Sequence, residues 1–164
     1  MVLLTGIILA GGESSRMGID KALINSNVER LASEMRSAGC NRIIVMCGTD
    51  ERAEMFSEEC VTDSKPSLAE SILDLLATLD GAIQLASCDA YLADADLFSK
   101  IDGVPLDDSG IRQPLLAKFE ISARLNHSSK ITEMFENIPS CEGGIKARNV
   151  NTPDEFKAIE QYLD

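Results

Sequence analysis

The string Leu9-Ala-Gly-Gly-Glu-Ser-Ser-Arg-Met-Gly-Ile-Asp-Lys-Ala-Leu23 holds the densest collection of chemically useful residues in the chain. Glycines at 11 and 12 let backbone amides approach a phosphate closely, and Arg16 and Lys21 put two cations beside it. A loop of this kind suits phosphate handling. It is not a P-loop, because Gly18 is followed by Ile19 rather than Lys, and no Gly-x-Gly-x-x-Gly run occurs. A second candidate is Asp89, which follows the apolar run Ala82 to Ser87. In open α/β sheets ligands bind outside the carboxyl ends of the strands, so an acid at such an exit is well placed for chemistry. The other reactive residue types read as structural or solvated. His127, the single histidine, lies in a polar Asn-His-Ser-Ser stretch and is expected at the surface, and no Ser-His-Asp set is visible. Cys88 reads as a small packing residue. The acid pairs Glu58-Glu59 and Asp107-Asp108 read as solvated.

To hold such a loop and such an acid on one rim, short buried strands must alternate with helices, and the chain has that pattern. Val2 to Ala10, Arg42 to Cys47, Cys60 to Thr62 and Ala82 to Ser87 read as strands of a mainly parallel sheet covered by helices on both faces. Pro114 to Phe119 and Ile145 to Val150 are expected as further strands. Capping boxes at Ser26-Asn-Val-Glu29 and Ser67-Leu-Ala-Glu70 are expected to open helices. The first carries an inner stripe of Val28, Leu31, Ala32 and Met35 and stops at Gly39. The second carries Leu68, Ile72, Leu75, Leu76 and Leu79 and stops at Asp80-Gly81. Short helices are expected over Asp50 to Ser57, Asp94 to Ile101 and Lys130 to Asn137. Thr152-Pro-Asp-Glu155 opens a last one, Pro153 to Leu163, with a capping Thr and Pro at the first helical position.

Composition narrows the function classes. The 164 residues carry 27 acidic against 15 basic side chains, a net charge of −12. Such a surface repels polyanions and speaks against a nucleic-acid binder, so any phosphate must be neutralised locally. One domain, residues 1–164, is expected from the length. The five cysteines are odd in number and never spaced Cys-x-x-Cys, as in reduced thiols of a cytoplasmic protein rather than a disulfide framework or zinc site. No Lys or Arg precedes Arg16, and Thr5 and Gly6 interrupt the first apolar run, so neither a signal peptide nor a membrane span is expected.

The Leu9–Leu23 string resembles the signature of the molybdenum cofactor guanylyltransferases, MobA-like members of the nucleotidyltransferases that activate sugars and cofactors. The resemblance continues at Cys88-Asp-Ala-Tyr-Leu92, at Arg112-Gln-Pro-Leu-Leu-Ala117 and at Asn149-Val-Asn-Thr-Pro-Asp-Glu155. It implies a three-layer Rossmann-like sandwich of the nucleotide-diphospho-sugar transferase type. The implied reaction moves GMP from GTP to the terminal phosphate of molybdopterin, with Mg2+ and release of pyrophosphate. By the same resemblance the backbone of Leu9, Ala10, Gly11 and Gly12 would cradle the nucleotide. Arg16 and Lys21 would offset charge on the triphosphate and the leaving pyrophosphate. Asp63 matches a nucleotide-contacting aspartate, Asp89 a metal ligand, and Asn151, in preference to Asn149, a residue completing the metal shell. Protein partners in cofactor delivery would be transient.

Some family features are missing. The expected Gly-Pro-Leu-x-Gly loop is replaced by Asp63-Ser-Lys-Pro-Ser-Leu-Ala, and the asparagine expected after the second strand by Met46-Cys-Gly-Thr49. Both lie where the base would be selected. The sequence therefore leaves open a sister enzyme, either an adenosylcobinamide-phosphate guanylyltransferase or a molybdopterin cytidylyltransferase, and a non-catalytic nucleotide-binding relative.

Overall fold

The first strand, β1 (Leu4–Leu9), is apolar on both faces because it lies inside the sheet rather than at its border. The computed structural model describes residues 3–10, 21–47, 58–62, 67–123, 125–148 and 153–162. In these, β1 pairs in parallel with β2 (Arg42–Met46) on one side and β4 (Ala82–Ser87) on the other. β3 (Glu59–Val61) adds in parallel beyond β2, and β6 (Lys118–Glu120) adds antiparallel beyond β4, giving the order β3-β2-β1-β4-β6. A separate two-stranded parallel ribbon joins β5 (Val104–Asp107) to β7 (Ser140–Gly144).

Alternation along the strands sorts the core into two layers. Ile8, Ala10, Val45, Cys47 and Ala86 face the side covered by α1 (Lys21–Ser37) and α3 (Ala95–Lys100), and Val28, Leu31, Ala32, Met35, Leu97 and Phe98 close that layer. Ile7, Leu9, Ile44, Met46, Ile83 and Leu85 face the other side, against α2 (Leu68–Leu76) and α4 (Ile131–Met134). Gly6 lets α1 settle close to the sheet: a Cβ there would lie 2.8 Å from Ile43 Cδ1 and 2.9 Å from Met35 Cε. The last helix is α5 (Pro153–Ile159). No helix among the described residues is long and apolar enough to cross a membrane.

Several sequence expectations hold residue by residue. β4 has the predicted bounds, α2 begins behind its N-cap Ser67, and the helix expected over Asp94 to Ile101 is α3, which spans Ala95–Lys100 with those two residues as its caps. At Ser67 the hydroxyl accepts the Glu70 N–H at 3.2 Å and donates to the Glu70 carboxylate, which turns to the hydroxyl. Gly39 follows α1 in a left-handed backbone conformation, as the stop requires, whereas α2 ends at Leu76 with Ala77 as its C-cap, before Leu79 and the expected stop at Asp80-Gly81.

Others are corrected. α1 begins at Lys21, so Ser26 and Glu29 sit inside a helix; their spacing is one helical turn and looks like a cap wherever it occurs. Pro114–Leu116 is a 3-10 turn, closed by the Ala117 N–H on Pro114 O at 3.1 Å, and only then does β6 start. Ile145–Ala147 is likewise a 3-10 turn, preceded by β7, which has no apolar pattern to announce it. The helix expected over Lys130 to Asn137 is a single turn, Ile131–Met134. The final helix ends at Ile159 and tightens into a 3-10 turn over Glu160–Tyr162. The helix expected over Asp50 to Ser57 lies outside the described residues, as does Thr152.

Candidate active site

β1 and β4 are neighbours running the same way, so their carboxyl ends open onto one rim. The glycine-rich loop leaves β1 there, and Cys88-Asp89 leaves β4. The exits are tied together: the Cys88 N–H donates to Leu9 O at 3.0 Å, and the Ala10 N–H donates to Met46 O at 2.8 Å across β2. The Ala10 amide is thus already committed to the sheet. Of the residues expected in the phosphate cradle, Gly11 and Gly12 lie outside the described residues, as do Arg16, Asp63, Asn149 and Asn151. Lys21 is placed by its backbone as the first residue of α1, the helix that starts on this same rim.

Asp89 is half-buried in a tight turn closed by the Ala90 N–H on Ser87 O at 3.0 Å. Burial pushes its pKa above the ordinary carboxylate value. The Ser87 hydroxyl, which donates to Asp89 Oδ1, and the residue's own backbone N–H pull the other way, while the Glu155 carboxylate pushes it further up. Glu155 stands in the first turn of α5 and is the residue that sequence reasoning missed. It was legible only as the reciprocal acid of a capping box, although it belongs to a segment of the family resemblance. A carboxylate pushed toward its neutral form by burial and by a neighbouring acid is relieved by a cation beside it.

Beside the Asp89 turn a cavity of about 170 Å3 opens between Ser87, Ala90, Gln113, Leu115 and Ile131. Its Gln113 wall is set by a residue that the sequence misplaced. Asp107 is buried rather than solvated: its carboxylate accepts the Ser109 and Ile111 N–H groups at 2.8 and 3.0 Å and the Gln113 Nε2 at 3.0 Å. Its neighbour Asp108 pairs with Arg148, and Glu58, also expected in solvent, pairs with Arg36. Arg112 is structural, with its guanidinium donating to Phe135 O at 2.8 Å and Ile138 O at 3.0 Å. A larger cavity of about 380 Å3, lined by Leu4, Gly39, Ala82, Lys118 and Glu120, opens at the amino ends of β1 and β4, away from Asp89.

The thiols stay in the structural role expected of them. None of the five cysteines forms a disulfide, and burial pushes Cys40 and Cys60 up to about 11. Cys88 packs against the core layer under α1. His127 is exposed.

Comparison with known proteins places this rim in context. The bifunctional IspDF from Campylobacter jejuni superposes with a TM-score of 0.71 at 15% identity, covering 99% of this chain and 54% of that one. A nucleotidyl transferase from Methanothermobacter thermautotroptrophicus superposes with a TM-score of 0.69 at 16% identity, covering 98% and 97%. These likenesses show the fold, a mostly parallel sheet between helices as in the nucleotide-diphospho-sugar transferases. A protein of Opitutus terrae named a probable molybdenum cofactor guanylyltransferase is 38% identical over 64 residues, 37% of this chain. The match covers 32% of that protein, so the chain spans about a third of the curated relative it matches. The family model of the MobA-like NTP transferase domain matches residues 6–102, a span that runs from β1 through α3 and contains both the glycine-rich loop and Asp89. With that match over more than half of its length, and the expected rim at the ends of β1 and β4, the chain belongs to the MobA-like NTP transferase domain family.

Proposed function

We propose that the protein is a nucleotidyltransferase that moves GMP from GTP to the terminal phosphate of molybdopterin and releases pyrophosphate. The observation that carries this reading is the half-buried Asp89 at the exit of β4, beside the β1 exit that delivers the glycine-rich, cationic loop. GTP and molybdopterin are the substrates suggested by the name of the Opitutus terrae relative.

In the reaction a phosphate oxygen of the acceptor attacks the α-phosphorus of the nucleotide. A new P–O bond forms, the bond to the oxygen bridging α and β breaks, and pyrophosphate leaves with that electron pair. Two anions must be brought together, so catalysis consists of placing cations and amides around the developing charge. Arg16 and Lys21 take the triphosphate and the leaving group, Gly11 and Gly12 supply amides, and Asp63 contacts the nucleotide. No nucleophilic side chain is needed.

The donor set at Asp89 fits Mg2+. The described residues contain no group of three or more His, Cys, Asp and Glu side chains that could enclose a metal. Mg2+ is commonly held by one or two carboxylates, with water and substrate phosphates filling its shell. Asp89 would hold it, with Asn151 completing the shell, and the ion would neutralise phosphate charge. The cavity between Ser87 and Gln113 is where part of the acceptor would enter.

Thermal melts with GTP, CTP, ATP and UTP, with and without Mg2+, test the donor. GTP should raise the melting point most, and only with the metal, because a ligand that binds the folded state alone stabilises it. A larger shift with CTP would favour a molybdopterin cytidylyltransferase, and no shift with any nucleotide would remove the catalytic reading. Turnover with molybdopterin against adenosylcobinamide phosphate then tests the acceptor.

A further inference from the structure

The turn that carries Asp89 is held from below by two side chains of α1. Asn27, 5% exposed, donates its Nδ2 to Cys88 O at 2.7 Å. Arg30 donates Nη1 to Ala93 O at 2.7 Å, Nη2 to Ala90 O at 3.1 Å and Nε to Asn27 Oδ1 at 2.9 Å. A guanidinium can only donate, so the last bond fixes which way the Asn27 amide points: oxygen to Arg30, nitrogen to Cys88. Together the pair takes up the carbonyls of Cys88, Ala90 and Ala93, on both sides of Asp89. The loop is built to let them in, since Ala90 and Ala93 are small and buried. Burial draws the Arg30 pKa down, while the Glu34 and Asp94 carboxylates hold it up.

The same helix begins at Lys21. A helix rises about 1.5 Å per residue, so Lys21 stands about 13 Å along the axis from Arg30 on one rigid element. From this juxtaposition we infer that Asn27 and Arg30 are positioning residues, which latch the Asp89 turn to α1 and so fix the anionic half of the site relative to the helix end that carries its lysine. The inference rests on the nucleotidyltransferase reading for its catalytic meaning, but the latch itself is a statement about the loop. Neither residue touches substrate; both act through the backbone on either side of Asp89.

The test uses the full chain with Arg30→Met, which keeps the aliphatic stem and removes the donors, and Arg30→Lys and Asn27→Leu as milder variants. Lys100→Ala, which breaks only an exposed pair with Asp96, is the control. Hydrogen–deuterium exchange of the segment 88–93 should quicken roughly tenfold in Arg30→Met, with a smaller rise in Arg30→Lys, while β1 and β4 keep wild-type protection. In turnover assays kcat should fall on the order of tenfold or more with the nucleotide KM within about twofold, and more Mg2+ should be needed for half-maximal rate. Arg30→Lys should recover part of the loss. Unchanged exchange in 88–93, or exchange that quickens equally in β1 and β4, overturns the latch. A rise in nucleotide KM with kcat unchanged overturns the positioning role. If Arg30→Met does not fold, Arg30→Lys and Asn27→Leu decide by the same criteria. A wild-type chain inactive with every donor and acceptor would defeat the nucleotidyltransferase reading alone, because the exchange measurement still judges the latch.

Discussion

Two strands of this molecule lead into a tight turn shaped around an aspartate, Asp107 as the last residue of β5 and Asp89 inside the turn that follows β4, and their carboxylates are used in opposite ways. At the exit of β5, Asp107 accepts two backbone N–H groups and a glutamine amide, so its lone pairs are spent on shaping the turn. At the exit of β4, Asp89 has the Ser87 hydroxyl and its own backbone N–H, faces a second acid in Glu155, and is pushed up by burial. The turn around Asp89 is held by other means, through the carbonyls that Asn27 and Arg30 take up. An acid relieved of structural duty can serve an incoming cation; one saturated with donors cannot. Two residues with the same local sequence logic therefore divide into chemistry and architecture by how many donors the fold directs at each.

The contrast can be broken most sharply at Asp89. Asp89→Asn should lower turnover by about a thousandfold or more while the circular dichroism melt stays close to wild type. Normal activity would place the chemistry elsewhere. Lys21→Ala should lower kcat by roughly a hundredfold, measured under saturating nucleotide, again with the melt unchanged. The opposite profile is expected at the other exit. Asp107→Ala strips three donors of their acceptor and should cost about 2–3 kcal/mol in urea unfolding, with kcat held within a few-fold and the acceptor KM raised through Gln113. If Asp107→Ala abolished kcat and left stability intact, the division would be reversed. The smallest effect is expected one residue on. The Arg148 guanidinium holds Asp108 below its ordinary pKa, so the pair stabilises the fold above the unfolded carboxylate value and loses this as pH falls through the folded one. Asp108→Asn should lower the urea midpoint slightly at pH 7 and match wild type once the pH is well below about 3.9.

What was legible in the sequence was local. The β4 strand, the Ser67 cap, the short helix near Asp94 and the stripe of α1 are written in nearby residues, and each appears where its pattern puts it. The glycine-rich loop and Asp89 stand out in the sequence because their residue types are unusual for the places they occupy, and the family match spans both. The misses share a different cause. Pro114–Leu116 is apolar enough for a strand, but the chain turns back on itself there, with the Ala117 N–H on Pro114 O. β7 reads Ser-Cys-Glu-Gly-Gly and becomes a strand only because β5 lies beside it. Asp107 and Asp108 look alike until the turn that one of them organises is in view. Arg30 is the extreme case. A charged residue on a helix ordinarily faces water, and nothing near it announces carbonyls some sixty residues away.

The borders of the sheet bear on how copies of this chain behave beside one another. Among the described residues both outermost strands, β3 and β6, are three residues long, and each carries exposed charge: Glu59, bridged to Arg42, on one, and Glu120 on the other, where Lys118 already pairs its backbone with Gly103. A strand from a neighbouring molecule would find little peptide to pair with, and ionic side chains guarding it. Crowding as the chain leaves the ribosome thus meets a sheet whose margins discourage it from growing into a fibre.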